Sequence, residues 1–225
     1  MRLSSDQIYT PPNGLAWRNP RPEAIERQLQ HCLQEAEIPP RYAATSFETL
    51  DPHLHPEAFQ ACREFATTGA YQGQQGLLLI GPPGTGKTSL AIATLRQVAI
   101  RHQGLGGVHF WNVPSGLEEI RRSFSRHESL PVSILDLHYN RLLVLDDLGK
   151  QKMSEWVLDQ FFTLIDHLWT QSKQFVITTN LSRERFVEAL DGALVSRILG
   201  MCHELVLDGP DQRLQARPTA PFRPA

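Results

Sequence analysis

The sequence predicts an α/β fold in which helices flank a central parallel sheet, and three observations lead there. The apolar run Leu77-Leu78-Leu79-Ile80 enters a glycine-rich loop, Gly81-Pro82-Pro83-Gly84-Thr85-Gly86-Lys87-Thr88, that opens into helix-forming sequence. Beyond it, short apolar runs alternate with helical patterns, as expected of parallel strands joined by crossover helices. The run Leu142-Leu143-Val144-Leu145 is continuously apolar rather than alternating, as a strand covered on both faces must be.

The elements follow in chain order. Residues 1–22 are rich in Pro, Ser and Asn and read as an arm. The stretch from Glu23 to Glu37 fits one short helix, stopped by Pro39-Pro40 because proline has no amide hydrogen to give a helix. Residues 41–56 read as an ordered linker and 57–66 as a helix. The core then predicts strand 77–80, helix 87–102, strand 107–112, helix 114–125 and strand 142–146. Helix 153–169, strand 174–178, helix 182–190, a short helix at 193–200 and strand 203–207 complete it. After Asp208 come Gly209, Pro210, Pro218, Pro221 and Pro224, so the Pro- and Arg-rich tail 209–225 is expected to fray, with no room for a helical lid. The expected organisation is an arm and short helix over 1–40, a candidate for partner binding, a core over 41–208, and the tail.

Composition narrows the possibilities. A net charge of −2 excludes a globally basic nucleic-acid binder, so any such site must be a local patch. Cys32, Cys62 and Cys202 lie far apart without a C-x-x-C pair, which argues against a disulfide framework or zinc knuckle and for a reducing cytoplasm. His31-Cys32 has no further ligand nearby to make a metal site. No apolar stretch nears the roughly 18 residues of a membrane span, and no membrane partner is expected.

The glycine-rich loop matches G-x-x-x-x-G-K-[ST] in its proper strand–loop–helix setting, which means phosphate binding. Gly81, Gly84 and Gly86 let successive backbone N–H groups turn toward phosphate oxygens, flanked by Pro82, Pro83 and Thr85. Lys87 is expected on the β/γ-phosphates, the Thr88 hydroxyl on Mg²⁺, and the helix N-terminus adds a favourable dipole. A nucleoside triphosphate with Mg²⁺ is therefore the predicted ligand.

Three further patterns follow. Strand 142–146 ends in Asp146-Asp147; Asp146 suits Mg²⁺ beside Thr88 and Asp147 suits polarisation of the attacking water, unless the pair is a turn or cap. Thr178-Thr179-Asn180 closes another apolar strand, where Asn180 is placed to meet the γ-phosphate or its water, an ordinary strand-end turn being the alternative. Ser196-Arg197 lies on a short amphipathic segment; Arg197 could neutralise transition-state charge in a neighbouring subunit or simply make a surface salt bridge.

Taken in this order, the phosphate loop, Asp-Asp, Thr-Thr-Asn and Ser-Arg resemble the P-loop NTPases of the AAA+ class. Ile38-Pro39-Pro40-Arg41-Tyr42 with Ser46-Phe47, Leu145-Asp146-Asp147-Leu148-Gly149 and Ser196-Arg197-Ile198 before Cys202 narrow this. They look like the DnaC/DnaI helicase loaders and the IstB transposition ATPases over about residues 38–213. The resemblance implies an ATPase that assembles as a homo-oligomer on DNA, with Arg197 acting in trans and the lid missing, as in that group. The usual lid arginine then has no obvious home, and Arg213 is the available substitute. Many relatives carry Glu where Asp147 stands, so slower hydrolysis, or a nucleotide-gated scaffold that scarcely hydrolyses, is implied.

The same resemblance places single-strand contacts ahead of the Asp-Asp strand. There Arg121-Arg122-Ser123-Phe124 sets two cations beside an aromatic able to stack on a base, although Glu118 and Glu119 would also make it a solvated, ion-paired helix face. A replicative-helicase loader is the leading reading and a transposase-recruiting helper the alternative, since both share every motif. A small-molecule P-loop kinase stands further off, because Thr-Thr-Asn and Ser-Arg have no role in one.

Overall fold

A computed structural model describes residues 22–126, 137, 140–149 and 154–215. Helix α1 (Pro22–Gln34) and a 3₁₀ turn at Pro40–Tyr42 precede α2 (Pro56–Thr68) and β1 (Gly76–Ile80). There follow α3 (Lys87–Arg101), β2 (Val108–Asn112), α4 (Val113–Arg126), β3 (Leu142–Asp146) and α5 (Glu155–Thr170). Then come β4 (Gln174–Thr179), α6 (Arg183–Ala189), α7 (Gly192–Met201), β5 (Cys202–Val206) and α8 (Gln212–Gln215).

The five strands pair in the order β2-β3-β4-β1-β5, every pair parallel. Because side chains alternate across a strand, each apolar run feeds two cores. Leu77 and Leu79 of β1, with Leu142 and Val144 of β3, join α2 and α3 on one face. Leu78 and Ile80, with Leu143 and Leu145, join α4, α5 and α7 on the other. The strand order reverses around β1, and in open parallel sheets ligands bind outside the carboxyl ends of the strands at such a point.

Two expectations change. The first helix stops at Gln34 instead of Glu37, and Glu37 takes a left-handed backbone, φ 57°. The reason is tertiary: the Phe110 N–H donates to the Ala36 carbonyl at 2.8 Å, drawing this turn onto edge strand β2 and burying Ala36. Leu29, Cys32 and Leu33 pack on the same layer, so α1 is docked on the core.

The chain also does not fray directly after Asp208. The Gln212 N–H donates to the Gly84 carbonyl at 3.0 Å, holding residues 209–215 against the phosphate loop. Local Gly-Pro signals read as loose chain because the partner that orders them lies on a distant strand end. The arm expected over 1–22 falls outside the described residues except for Pro22, and 216–225 lie outside them as well. Among the described residues no helix is long and apolar enough to cross a membrane.

Candidate nucleotide-binding and hydrolysis site

At the carboxyl ends of β1, β3 and β4 lies a cleft of about 400 Å³, floored by the phosphate loop and lined by Lys87, Thr88, Asp146, Asp147 and Asn180. That volume suits a small ligand. The sequence expected these residues together, and the sheet register brings them there: Leu79 pairs with Thr178, and Asn112 with Asp146.

The phosphate loop needs glycine for two reasons. Gly81 and Gly84 have φ of 154° and 84°, and a Cβ at either would stand within 2.1 Å of the Leu207 carbonyl or the Asp211 carboxylate. A side chain there would expel the chain that follows β5. Lys87, only 5% exposed, curls over the loop and donates to the Gly81 and Pro82 carbonyls, each at 2.7 Å, and to Thr85 Oγ1 at 3.3 Å. Its charge is thereby held at the loop's centre, where phosphate oxygens compete with neutral carbonyls for it.

Asp146 is buried at 4% exposure, a costly place for a carboxylate unless donors surround it. Thr88 Oγ1 and Thr178 Oγ1 each donate to its Oδ1 at 2.8 Å, and Asn112 Nδ2 donates to Oδ2 at 3.1 Å. The Asn112 amide is oriented by its own Oδ1, which accepts from the Ser115 N–H and hydroxyl. A threonine hydroxyl against a carboxylate supplies the hard oxygen atoms that Mg²⁺ prefers, so Thr88 and Asp146 fit it.

Asp147 leaves β3 in a left-handed conformation, φ 62°. Non-glycine residues enter that region at a cost of about 1 kcal/mol, less readily tolerated away from Asp and Asn. The turn is held by β4: the Asp147 N–H donates to Thr178 Oγ1 at 3.0 Å and the Leu148 N–H to the Thr178 carbonyl at 2.9 Å. It turns the Asp147 carboxylate to Asn180, whose Nδ2 donates to Oδ1. The two carboxylates thus differ in setting, one buried among donors and the other facing the cleft.

Sequence reasoning gave no site role to several of the lining residues, Ser89 of α3 and Thr178 of β4 among them. Asn112 had a signal, a polar residue ending a strand beside Asp146. Arg41 and Tyr42, from the 3₁₀ turn, form one wall, with the Arg41 guanidinium 4.8 Å from the Tyr42 ring centroid. Gln212 forms another wall together with Arg213, the arginine available to substitute for a lid residue.

Arg197 lies elsewhere. On α7 it makes an ion pair with Asp166 of α5 and stacks over the Phe162 ring at 5.0 Å, beside a surface hollow with Trp169, Ser196 and Gly200. It does not line its own chain's cleft. Arg121 and Arg122 are exposed on α4, 3.9 and 3.2 Å from Glu118, the pairing that a solvated face would make. Phe124 belongs to α4, but its side chain lies outside the described residues.

Comparison with known proteins identifies this arrangement. A family model described as IstB-like ATP binding protein matches residues 16–220. The chain belongs to that family. An ATP-binding protein of insertion sequence IS21 from Pseudomonas aeruginosa is 25% identical to it over 199 residues, covering 85% of this chain and 72% of that relative. Among solved structures, the DnaC helicase loader aligns with a TM-score of 0.62 at 26% identity, covering 75% of this chain and 99% of the loader. DnaI aligns at a TM-score of 0.66 and 19% identity, covering 79% and 95% of the two chains, a likeness of fold. The IstB-like protein is therefore an ATP-binding member of the AAA+ group that includes the DnaC and DnaI loaders, with the P-loop fold expected from its sequence.

Proposed function

We propose that this IstB-like protein hydrolyses ATP to ADP and phosphate with Mg²⁺, as a homo-oligomer on single-stranded DNA, and that its nucleotide state governs recruitment of a transposase. The observation that carries hydrolysis is the division of labour between adjacent carboxylates. Asp146 and Thr88 would hold Mg²⁺, which offsets negative charge on the β- and γ-phosphates. Lys87 and the loop N–H groups bind and orient the phosphates. Asp147, turned toward the cleft, accepts a hydrogen bond from the attacking water, and Asn180 fixes the carboxylate that does so. Arg197 is surface-placed and remote from its own cleft, which supports a role in the neighbouring subunit's site, its bond to Asp166 being exchanged on assembly.

The family match favours the transposition role because it extends through both flanks of the core, from 16 to 220. Helicase loading, the leading reading from sequence, is the second reading, supported by the full coverage of the DnaC loader at comparable identity. DNA contact is assigned to Arg121, Arg122 and Phe124 on α4. The test uses purified protein with ATP, Mg²⁺ and single-stranded DNA, measuring phosphate release and particle mass. Capture is then scored against a purified IS21-type transposase and a replicative helicase. ATP-dependent capture of the transposase is expected; capture of the helicase alone selects the second reading, and ATP turnover that neither DNA nor protein concentration alters would overturn the assembly model.

A further inference from the structure

We propose that Arg96 of α3 is a positioning residue for nucleotide binding, holding the Arg41–Tyr42 wall of the cleft against the part of the ligand beyond the phosphates. The inference rests on nucleotide binding in this cleft and not on hydrolysis, DNA contact or assembly.

The 3₁₀ turn Pro40–Tyr42 closes on itself. The Tyr42 N–H donates to the Pro39 carbonyl at 2.8 Å and the Ala43 N–H to the Pro40 carbonyl at 3.0 Å, so each of these bonds is internal to the turn. Tyr42 packs on the layer of α2 and α3, but apolar contact is non-directional and does not by itself aim the turn. Arg96 supplies the direction: its Nη2 donates to the Ala43 carbonyl at 2.6 Å, across 53 residues of chain. Lys87 and Thr88 open the same helix. One rigid element thus carries the phosphate-facing groups in its first turn and the tether for the wall further along.

The setting of Arg96 argues for more than packing. Its Nε is buried with no hydrogen-bond partner among the described residues, and burial pushes its pKa down. An unsatisfied guanidinium donor costs stability when buried, so stability alone favours an apolar side chain there. What the guanidinium supplies instead is a directional, charge-assisted bond to one carbonyl. On the cleft side, the Arg41 guanidinium lies 4.8 Å from the Tyr42 ring centroid, a planar and partly apolar surface in the same lining as Ser89. With Lys87, Thr88 and Asp146 given to phosphates and Mg²⁺, that surface is left for the nucleoside. A shift of the turn changes the fit of the nucleoside and leaves the phosphate loop as it was.

Two ligands separate this role from a merely structural one: adenylyl imidodiphosphate, a slowly hydrolysed ATP analogue, and inorganic tripolyphosphate. Each is titrated calorimetrically with Mg²⁺ into the full chain and its variants. Arg96→Met keeps the stem and loses the donors. It is expected to bind the analogue ~10-fold more weakly, the scale of one charge-assisted hydrogen bond, with tripolyphosphate unmoved. Arg96→Lys keeps the charge without the fork and should fall ~3-fold short of wild type toward the analogue alone. Tyr42→Ala should cost less in Arg96→Met than in wild type, because residues that act through one wall are not additive. Equal shifts for both ligands, no shift for either, or additive losses in the double variant would overturn the proposal. If Arg96→Met loses its thermal unfolding transition, Arg96→Lys decides by the same comparison of ligands; if tripolyphosphate binds too weakly to measure, the double variant decides. A wild type that binds neither ligand overturns the nucleotide site and this proposal with it, whereas wild-type binding with unmoved variants counts against Arg96 alone.

Discussion

Thr178 Oγ1 donates to Asp146 Oδ1 at 2.8 Å and accepts the Asp147 N–H at 3.0 Å, so one hydroxyl on β4 organises both carboxylates that end β3. Thr178 is 2% exposed and Asp146 4%, so that carboxylate has little water to fall back on. A Thr178→Val variant keeps the shape and removes the hydroxyl. It should lose about 1–3 kcal/mol of stability, the cost of leaving a buried charged acceptor one donor short. Denaturant unfolding checks this, and ATP turnover should fall with it because the Asp147 turn loses a tether. Unchanged stability would mean that Thr88 and Asn112 suffice to hold Asp146.

Asp147→Asn should retain ATP binding and lose at least ~10²-fold in hydrolysis, the usual scale for removing a general base. Asn can still accept from Asn180 after an amide rotation, so the turn survives while the charge does not. Phosphate release under saturating ATP, with binding measured separately, makes the distinction. Equal turnover in variant and wild type would assign the water to another group.

Arg197→Ala should bind ATP normally and hydrolyse it at least ~10²-fold more slowly if its charge serves a neighbouring subunit. Lys87→Ala should fail to bind ATP, since the loop loses the cation bonded to the Gly81 and Pro82 carbonyls. Each is inactive alone. Mixed, they form interfaces with an intact loop from the first variant and an intact Arg197 from the second, and activity should return. Co-assembly without recovery would leave Arg197 with its Asp166 ion pair as a structural residue.

Replacing Arg121 and Arg122 with alanine should weaken single-stranded DNA binding and flatten its salt dependence by up to ~1.4 units, two phosphate contacts at ~0.7 each. Binding titrations across a salt series read this out. An unaltered slope would return α4 to the role suggested by its Glu118 pairs, a solvated helix face.

His109 supplies a pH dependence. It sits on β2 with a buried Nε2 that has no hydrogen-bond partner among the described residues; burial lowers its pKa, and Glu37, 3.9 Å away, opposes this by raising it. With the folded value below the unfolded one, the unfolded state binds the proton more readily, so stability is lost as pH falls through ~6.5 and below. A His109→Gln variant lacks that loss. The difference in melting temperature between wild type and variant should therefore move in the variant's favour between pH 7.5 and 5. A difference that stays constant with pH would show that His109 does not carry this dependence.

The sequence by itself determined the fold class, the phosphate loop and the carboxylate pair, because each is written locally. Strand, loop and helix around residues 77–98 adjoin in the chain, and the apolar run 142–145 could be stable only inside a sheet covered on both faces. Tertiary structure alone decided how those parts meet. Parallel register set Asn112 beside Asp146 and Thr178 beneath both carboxylates, over separations no local pattern spans. It also ended α1 early at the edge of β2 and drew residues 209–215 onto Gly84, where local composition reads as loose chain. The physical reason is common to all of these: the interactions are between groups far apart in sequence, and their partners exist only once the sheet has closed.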